Sequence, residues 1–119
     1  MSESPIAALE QRPEFVVLHV LAESLGEAEL RRLHAEIRAA ADAGPGQPVV
    51  LDLARVSFVP SLSLAALIRV YSEFQGRQQR LILAGLQPPI RQVFIMTRLD
   101  RLFELHDDVA AAARAVGPA

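Results

Sequence analysis

Val49-Val50-Leu51-Asp52-Leu53-Ala54-Arg55-Val56-Ser57-Phe58-Val59-Pro60-Ser61-Leu62-Ser63-Leu64-Ala65-Ala66-Leu67 decides how this chain is read. Val49 to Leu53 is too uniformly apolar for a strand with one wet face, so it is predicted as a central strand covered on both sides. After Pro60 the period changes: Leu64, Leu67, Ile68, Tyr71 and Phe74 mark one side of a helix that stops near Gly76. Ser61 stands where that helix opens. First-turn N–H groups lack helical partners and the dipole is positive there. The serine can therefore cap the helix, bind an anion or accept a phosphate.

Working outward, Ile6 to Leu9 reads as a short first strand broken by Gln11, Arg12 and Pro13, and Phe15 to Leu21 as a firmer, β-branched one. From Gly26 onward Leu30, Leu33, Ile37 and Ala41 form an apolar stripe opposite Glu29, Arg31, Arg32, Glu36 and Arg38, the pattern of a surface helix. Gly44, Pro45, Gly46 and Pro48 end it. Arg80 to Ala84 is a further buried strand, and Pro88-Pro89 opens a third helix whose buried face is predicted as Ile90, Val93, Phe94 and Thr97. Leu102 to Leu105 reads as an edge strand, and Asp107-Asp108 starts a final alanine-rich helix. Alternating strands and helices predict a single α/β domain spanning residues 1–119. Its central mixed, partly parallel sheet has about four to five strands covered by about four helices.

Composition removes several functions. With no cysteine there is no disulfide framework, thiolate metal site or Cys nucleophile. The net charge is −2 and every basic residue is a scattered arginine, which gives a nucleic acid no basic platform. No lysine is present to complete a phosphate-binding loop at Gly44-Pro45-Gly46. Met1 to Glu10 lacks the basic leader and apolar run of a signal peptide, and no stretch reaches the roughly 20 apolar residues that span a bilayer. A cytoplasmic protein without membrane insertion is expected.

The remaining chemistry-bearing residues read blandly. His19, His34 and His106 lack metal-pair spacing; they are expected on a strand face, on a helix and in a turn near a helix start. No G-x-S-x-G elbow supports a hydrolase. Asp52 is expected as a strand-end carboxylate that accepts hydrogen bonds or pairs with Arg55 or Arg80, in preference to a buried catalytic acid. No catalytic residue, metal or cofactor is assigned, and the chain is not read as an enzyme.

The strand Val50-Leu51-Asp52-Leu53, then Val56-Ser57-Phe58-Val59, then a serine opening a Leu-rich helix, resembles the STAS family of sulfate-transporter domains and anti-sigma factor antagonists. Three later segments agree in order: Arg80 to Leu86, Pro88 to Phe94 and Thr97 to Phe103. The likeness runs from about Phe15 to about Val116. Where the family turn reads Asp-Ser-Ser-Gly or Asp-Ser-Thr-Gly, this chain has Pro60, Ser61, Leu62 and Ser63, a degenerate version that keeps the acceptor serine and loses the aspartate and glycine.

The resemblance implies a binding module in a partner-switching pathway. In such antagonists the unphosphorylated protein binds an anti-sigma factor that is also a serine kinase. Phosphorylation releases the antagonist and a phosphatase restores it. Ser61 is then the expected phosphorylation site, with Ser63 as back-up. Glu23, Val59, Pro60, Ser61, Leu62 and Ser63 are the expected partner-binding residues. The missing Asp and Gly also fit a second reading, a non-phosphorylated STAS subunit of a transport, lipid-transfer or signalling scaffold complex. Monomer and homodimer both remain open.

Overall fold

The computed structural model describes residues 5–117; residues 1–4, within the amino-terminal stretch read above for a leader, and residues 118–119 lie outside it. Five strands form one sheet in the order β1 (Ala7–Gln11), β2 (Val16–Val20), β3 (Val49–Asp52), β4 (Leu81–Ala84) and β5 (Glu104–His106). β1 runs antiparallel to β2, and β2 to β5 run parallel to their neighbours. The crossovers carry α1 (Glu27–Ala43), α2 (Ser61–Gly76) and α3 (Pro88–Met96), and α4 (Val109–Val116) closes the chain.

Period-two alternation assigns the two faces. Val16, Leu18, Val20, Val49, Leu51, Leu81 and Leu83 join the larger core with buried residues of α1, α2 and α3. The intervening Val17, Val50, Ile82 and Ala84 meet Ala112 of α4 on the other face. β3 is thus covered on both sides, as its apolar run requires. Among the described residues two polar side chains are buried, Ser63 and Gln79, and Gln79 Nε2 donates to the Gln47 carbonyl at 2.7 Å.

Three sequence expectations shift. β1 continues through Gln11, which pairs with Val16, and the tight connection falls at Arg12 to Phe15, where the Arg12 N–H donates to the Phe15 carbonyl. Only Ile90 and Phe94 of α3 are buried. Val93 and Thr97 are exposed, Thr97 because its hydroxyl turns back to donate to the Val93 carbonyl at 2.7 Å. The last strand begins at Glu104 instead of Leu102. A 3-10 turn at Leu99–Arg101, entered through Arg98 at φ 63°, places Phe103 in the core against Phe94 and Tyr71.

Candidate functional site

The carboxyl ends of β2 and β3 deliver two loops side by side, the place where open α/β sheets commonly bind their ligands. The loops are zipped by their backbones. Ser57 N–H donates to the Glu23 carbonyl at 2.7 Å, Leu25 N–H donates to the Phe58 carbonyl at 3.0 Å, and Ser24 bridges Phe58 in parallel. Ser63 adds a side-chain tie: its hydroxyl, 3 % exposed, donates to the Leu25 carbonyl at 2.6 Å.

Beneath the turn, Asp52 Oδ1 accepts from the Ala54 N–H at 3.1 Å, and Gln87 Nε2 donates to the Ala54 carbonyl at 2.9 Å. Gly85 makes room for this arrangement. Its φ is +76°, and a Cβ there would lie 3.3 Å from both Ala54 and Asp52 Oδ1. Gly85→Ala is expected to lower stability by about 1–2 kcal/mol, the cost of left-handed backbone for a residue with a Cβ, measured by urea unfolding.

Ser61 is the first helical residue of α2, and Pro60, in extended backbone at φ −61° and ψ 153°, holds the N-cap position. The cap role considered for Ser61 is therefore not filled: α2 has no side-chain cap hydrogen bond. Proline needs no N–H there and its φ suits the entry. Ser61 is exposed, and among the described residues no basic or acidic side chain hydrogen-bonds its hydroxyl. Among the described residues, none is placed to take the proton of this hydroxyl.

Around it, Leu62 is 79 % exposed and Phe58 59 % exposed, while Val59 and Pro60 are half-buried. Leu64 points inward to the core. Glu23 has an exposed side chain, and its carbonyl anchors Ser57 and Phe58. Of the residues singled out in the sequence, Glu23 and Val59 to Leu62 gather at one end of the sheet, and Ser63 lies beneath them. Its burial and its bond to Leu25 argue against a back-up acceptor.

The sequence reading placed α3 but gave it no part in the candidate surface. A shallow cavity of about 130 Å³ between the β3–α2 turn and α3 is lined by Phe58, Val59, Leu64, Ile90, Val93 and Phe94. Val93 and Met96 are exposed on α3. Pro88 to Met96 carries more apolar side chains than its one buried stripe, Ile90 and Phe94, uses, and this excess is visible in the sequence.

The histidines all meet carboxylates. His19 lies between Glu10 and Asp52, so Asp52 pairs with neither Arg55 nor Arg80, and Arg80 instead binds Glu104 at 2.6 Å. His106 Nε2 is 3.0 Å from Glu104, and His34 Nε2 lies 2.9 Å from Glu73 without hydrogen-bond alignment. Glu104 is half-buried, which alone would raise its pKa. Hydrogen bonds from Arg80 and His106 more than offset that and hold its carboxyl below the usual range.

No helix among the described residues is long and apolar enough to cross a membrane. The family model described as Mlab, STAS domain matches residues 7–113. A Bordetella bronchiseptica protein that bears the name anti-sigma factor antagonist BtrV is 32 % identical over 91 residues, covering 76 % of this chain and 78 % of that protein. The fold is also that of an anti-sigma-factor antagonist (STAS) domain protein from Planctomyces limnophilus, with TM-score 0.81 and 19 % identity over 94 % of this chain and 98 % of the other. The anti-sigma factor antagonist SpoIIAA in its unphosphorylated form superposes with TM-score 0.72 and 22 % identity, covering 95 % of this chain and 98 % of that one. The family match spans all five strands and three of the four helices in full, and on that ground the chain belongs to the STAS domain family.

Proposed function

We propose that this chain is an anti-sigma-factor-antagonist module that binds an anti-sigma factor with serine-kinase activity and is switched by phosphorylation of Ser61. Family membership and the relative named as an antagonist support the class of function. The observation that carries the switch is the exposed Ser61 at the mouth of α2, flanked by exposed Phe58 and Leu62. A phosphate there adds roughly −1.5 to −2 charges and three acceptor oxygens to an apolar contact surface. A partner packed on Phe58 and Leu62 would have to desolvate that dianion, whereas the free protein leaves it in water beside the positive end of the helix.

The contact surface in this reading comprises Glu23, Phe58, Val59, Pro60, Ser61 and Leu62, and extends over Val93 on α3. The chain acts by binding and not as an enzyme, in the cytoplasm, with a phosphatase restoring the unmodified state; a homodimer is not needed for it. Two of the three departures from the family turn have structural jobs here: Pro60 enters the helix and Ser63 ties α2 to Leu25. Those same departures favour a second reading, a scaffold subunit that uses this surface without phosphorylation.

One experiment separates the readings. The purified chain is incubated with the anti-sigma serine kinases of its host and ATP–Mg, the mass of the Ser61 peptide is followed, and binding is measured for wild type, Ser61→Ala and Ser61→Glu. The switch predicts a phosphate on Ser61, near-wild-type binding by the alanine variant and at least tenfold weaker binding by the glutamate variant, about 1.4 kcal/mol. Glutamate-variant binding equal to wild type would leave the scaffold reading standing and the switch refuted.

A further inference from the structure

His19 occupies a half-buried position on β2, on the face that α4 covers over β3 to β5. Its Nδ1 is 2.7 Å from Asp52 Oδ2 and its Nε2 is 2.7 Å from Glu10 Oε1. A neutral imidazole has one donor and one acceptor nitrogen, and an ionised carboxylate only accepts. Two such contacts at this distance can both be hydrogen bonds only if both ring nitrogens carry protons.

We propose that His19 is held as an imidazolium that braces three strands, β1 through Glu10 and β3 through Asp52, and that its proton sets the rigidity of the turn leading to Ser61. The route is short. Asp52 uses Oδ2 for His19 and Oδ1 for the Ala54 N–H, the first amide of the turn. When His19 loses a proton, one ring nitrogen faces a carboxylate lone pair to lone pair, and one of the two contacts must open. An Asp52 carboxylate released from His19 is free to rotate away from Ala54. This inference does not depend on phosphorylation at Ser61.

The charged surroundings favour the protonated ring. Partial burial works against the charge, but the hydrogen bonds and charges of Glu10 and Asp52 outweigh it and raise the His19 pKa above its ordinary 6.5. Behind Glu10, Arg12 Nε donates to Oε2 at 2.7 Å; that bond first, and His19 second, hold the Glu10 carboxyl below its ordinary 4.5. Along the row, Ala84 separates Asp52 from His106, whose Nε2 is taken by Glu104. Among the described residues, Glu10 and Asp52 are the charged groups in contact with His19.

The signs fix a window. A raised histidine pKa stabilises the fold fully below 6.5 and loses that contribution as pH rises through the folded value. A lowered Glu10 pKa contributes above 4.5 and is lost as pH falls through its folded value. The brace is therefore complete between about pH 4.5 and 6.5 and opens on the alkaline side.

The test is an NMR pH titration of the intact chain, following the His19 Cε1–H and the Ala54 amide. The His19 midpoint is expected above 6.5, lower in Glu10→Gln and in Asp52→Asn, and the Ala54 amide should shift with the same midpoint. In His19→Gln the Ala54 inflection should vanish. A wild-type midpoint at or below 6.5, or one unmoved by both carboxylate variants, overturns the imidazolium. An Ala54 amide that ignores the His19 midpoint overturns its link to the turn.

Discussion

Truncation of Phe94 to alanine is expected to remove about 3–5 kcal/mol of stability, the usual loss for a large aromatic in a core that cannot collapse into the space left behind. Phe94 is fully buried. Its ring lies 5.7 Å from Phe103, which in turn stands edge-on to Tyr71 at 5.2 Å. These three rings join α3, the segment before β5 and α2. α3 itself has only nine residues and is seated by two buried side chains, Ile90 and Phe94. Losing one of two anchors leaves a helix too short to hold itself. Ile90→Val, which removes one methylene from the other anchor, should lose only about 0.5–1.5 kcal/mol. Urea unfolding checks both: Ile90→Val should keep the wild-type slope, and Phe94→Ala should lower it, because a detached α3 leaves less surface to expose. If the alanine variant lost less than about 1 kcal/mol, α3 would not be seated through this ring. The variant also has a functional reading. Phe94 floors the cavity beside Phe58, so a detached α3 removes Val93 from the proposed contact surface, and partner binding should fall with stability.

The residues that announced the fold did so through periodicity. Val49 to Asp52 could be placed in the middle of the sheet because only a strand covered twice has no polar alternation, and α1 was legible from Leu30, Leu33 and Ile37, all fully or nearly fully buried. What escaped depended on tertiary geometry. The pairing of His19 with Glu10 requires the register of an antiparallel edge strand, in which Glu10 sits opposite Val17 and diagonal to His19. The delayed start of β5 follows from one left-handed arginine, a conformation that no periodicity encodes. Within the candidate site, Ser61 was legible from its place after Pro60. The burial of its neighbour Ser63 was also in the pattern: Ser63, Leu67, Val70 and Phe74 fall at intervals of four, three and four along the buried side of α2. A serine inside such a stripe has to find an acceptor.

That acceptor makes the two serines of one turn respond in opposite ways. Ser63→Ala leaves the Leu25 carbonyl without its 2.6 Å donor in a buried setting, so a loss of about 1–3 kcal/mol is expected. Ser61→Ala removes an exposed hydroxyl that caps nothing, and its effect should stay within about 0.5 kcal/mol. Matched urea unfolding of the two variants makes the comparison. The reverse order would mean that α2 begins one turn elsewhere and that the outward-facing hydroxyl is the other one. The difference also bears on why glycine is dispensable at this place in the turn. A side chain is accommodated because it turns into the gap between α2 and the loop at Leu25 and bonds the carbonyl there. Ser63→Gly should therefore be at least as destabilising as Ser63→Ala, since it loses the same bond and adds the backbone entropy of glycine in a helix, about 0.5–1 kcal/mol. Restoring the family's glycine is expected to weaken this chain, because the loop at Leu25 has come to depend on the hydroxyl.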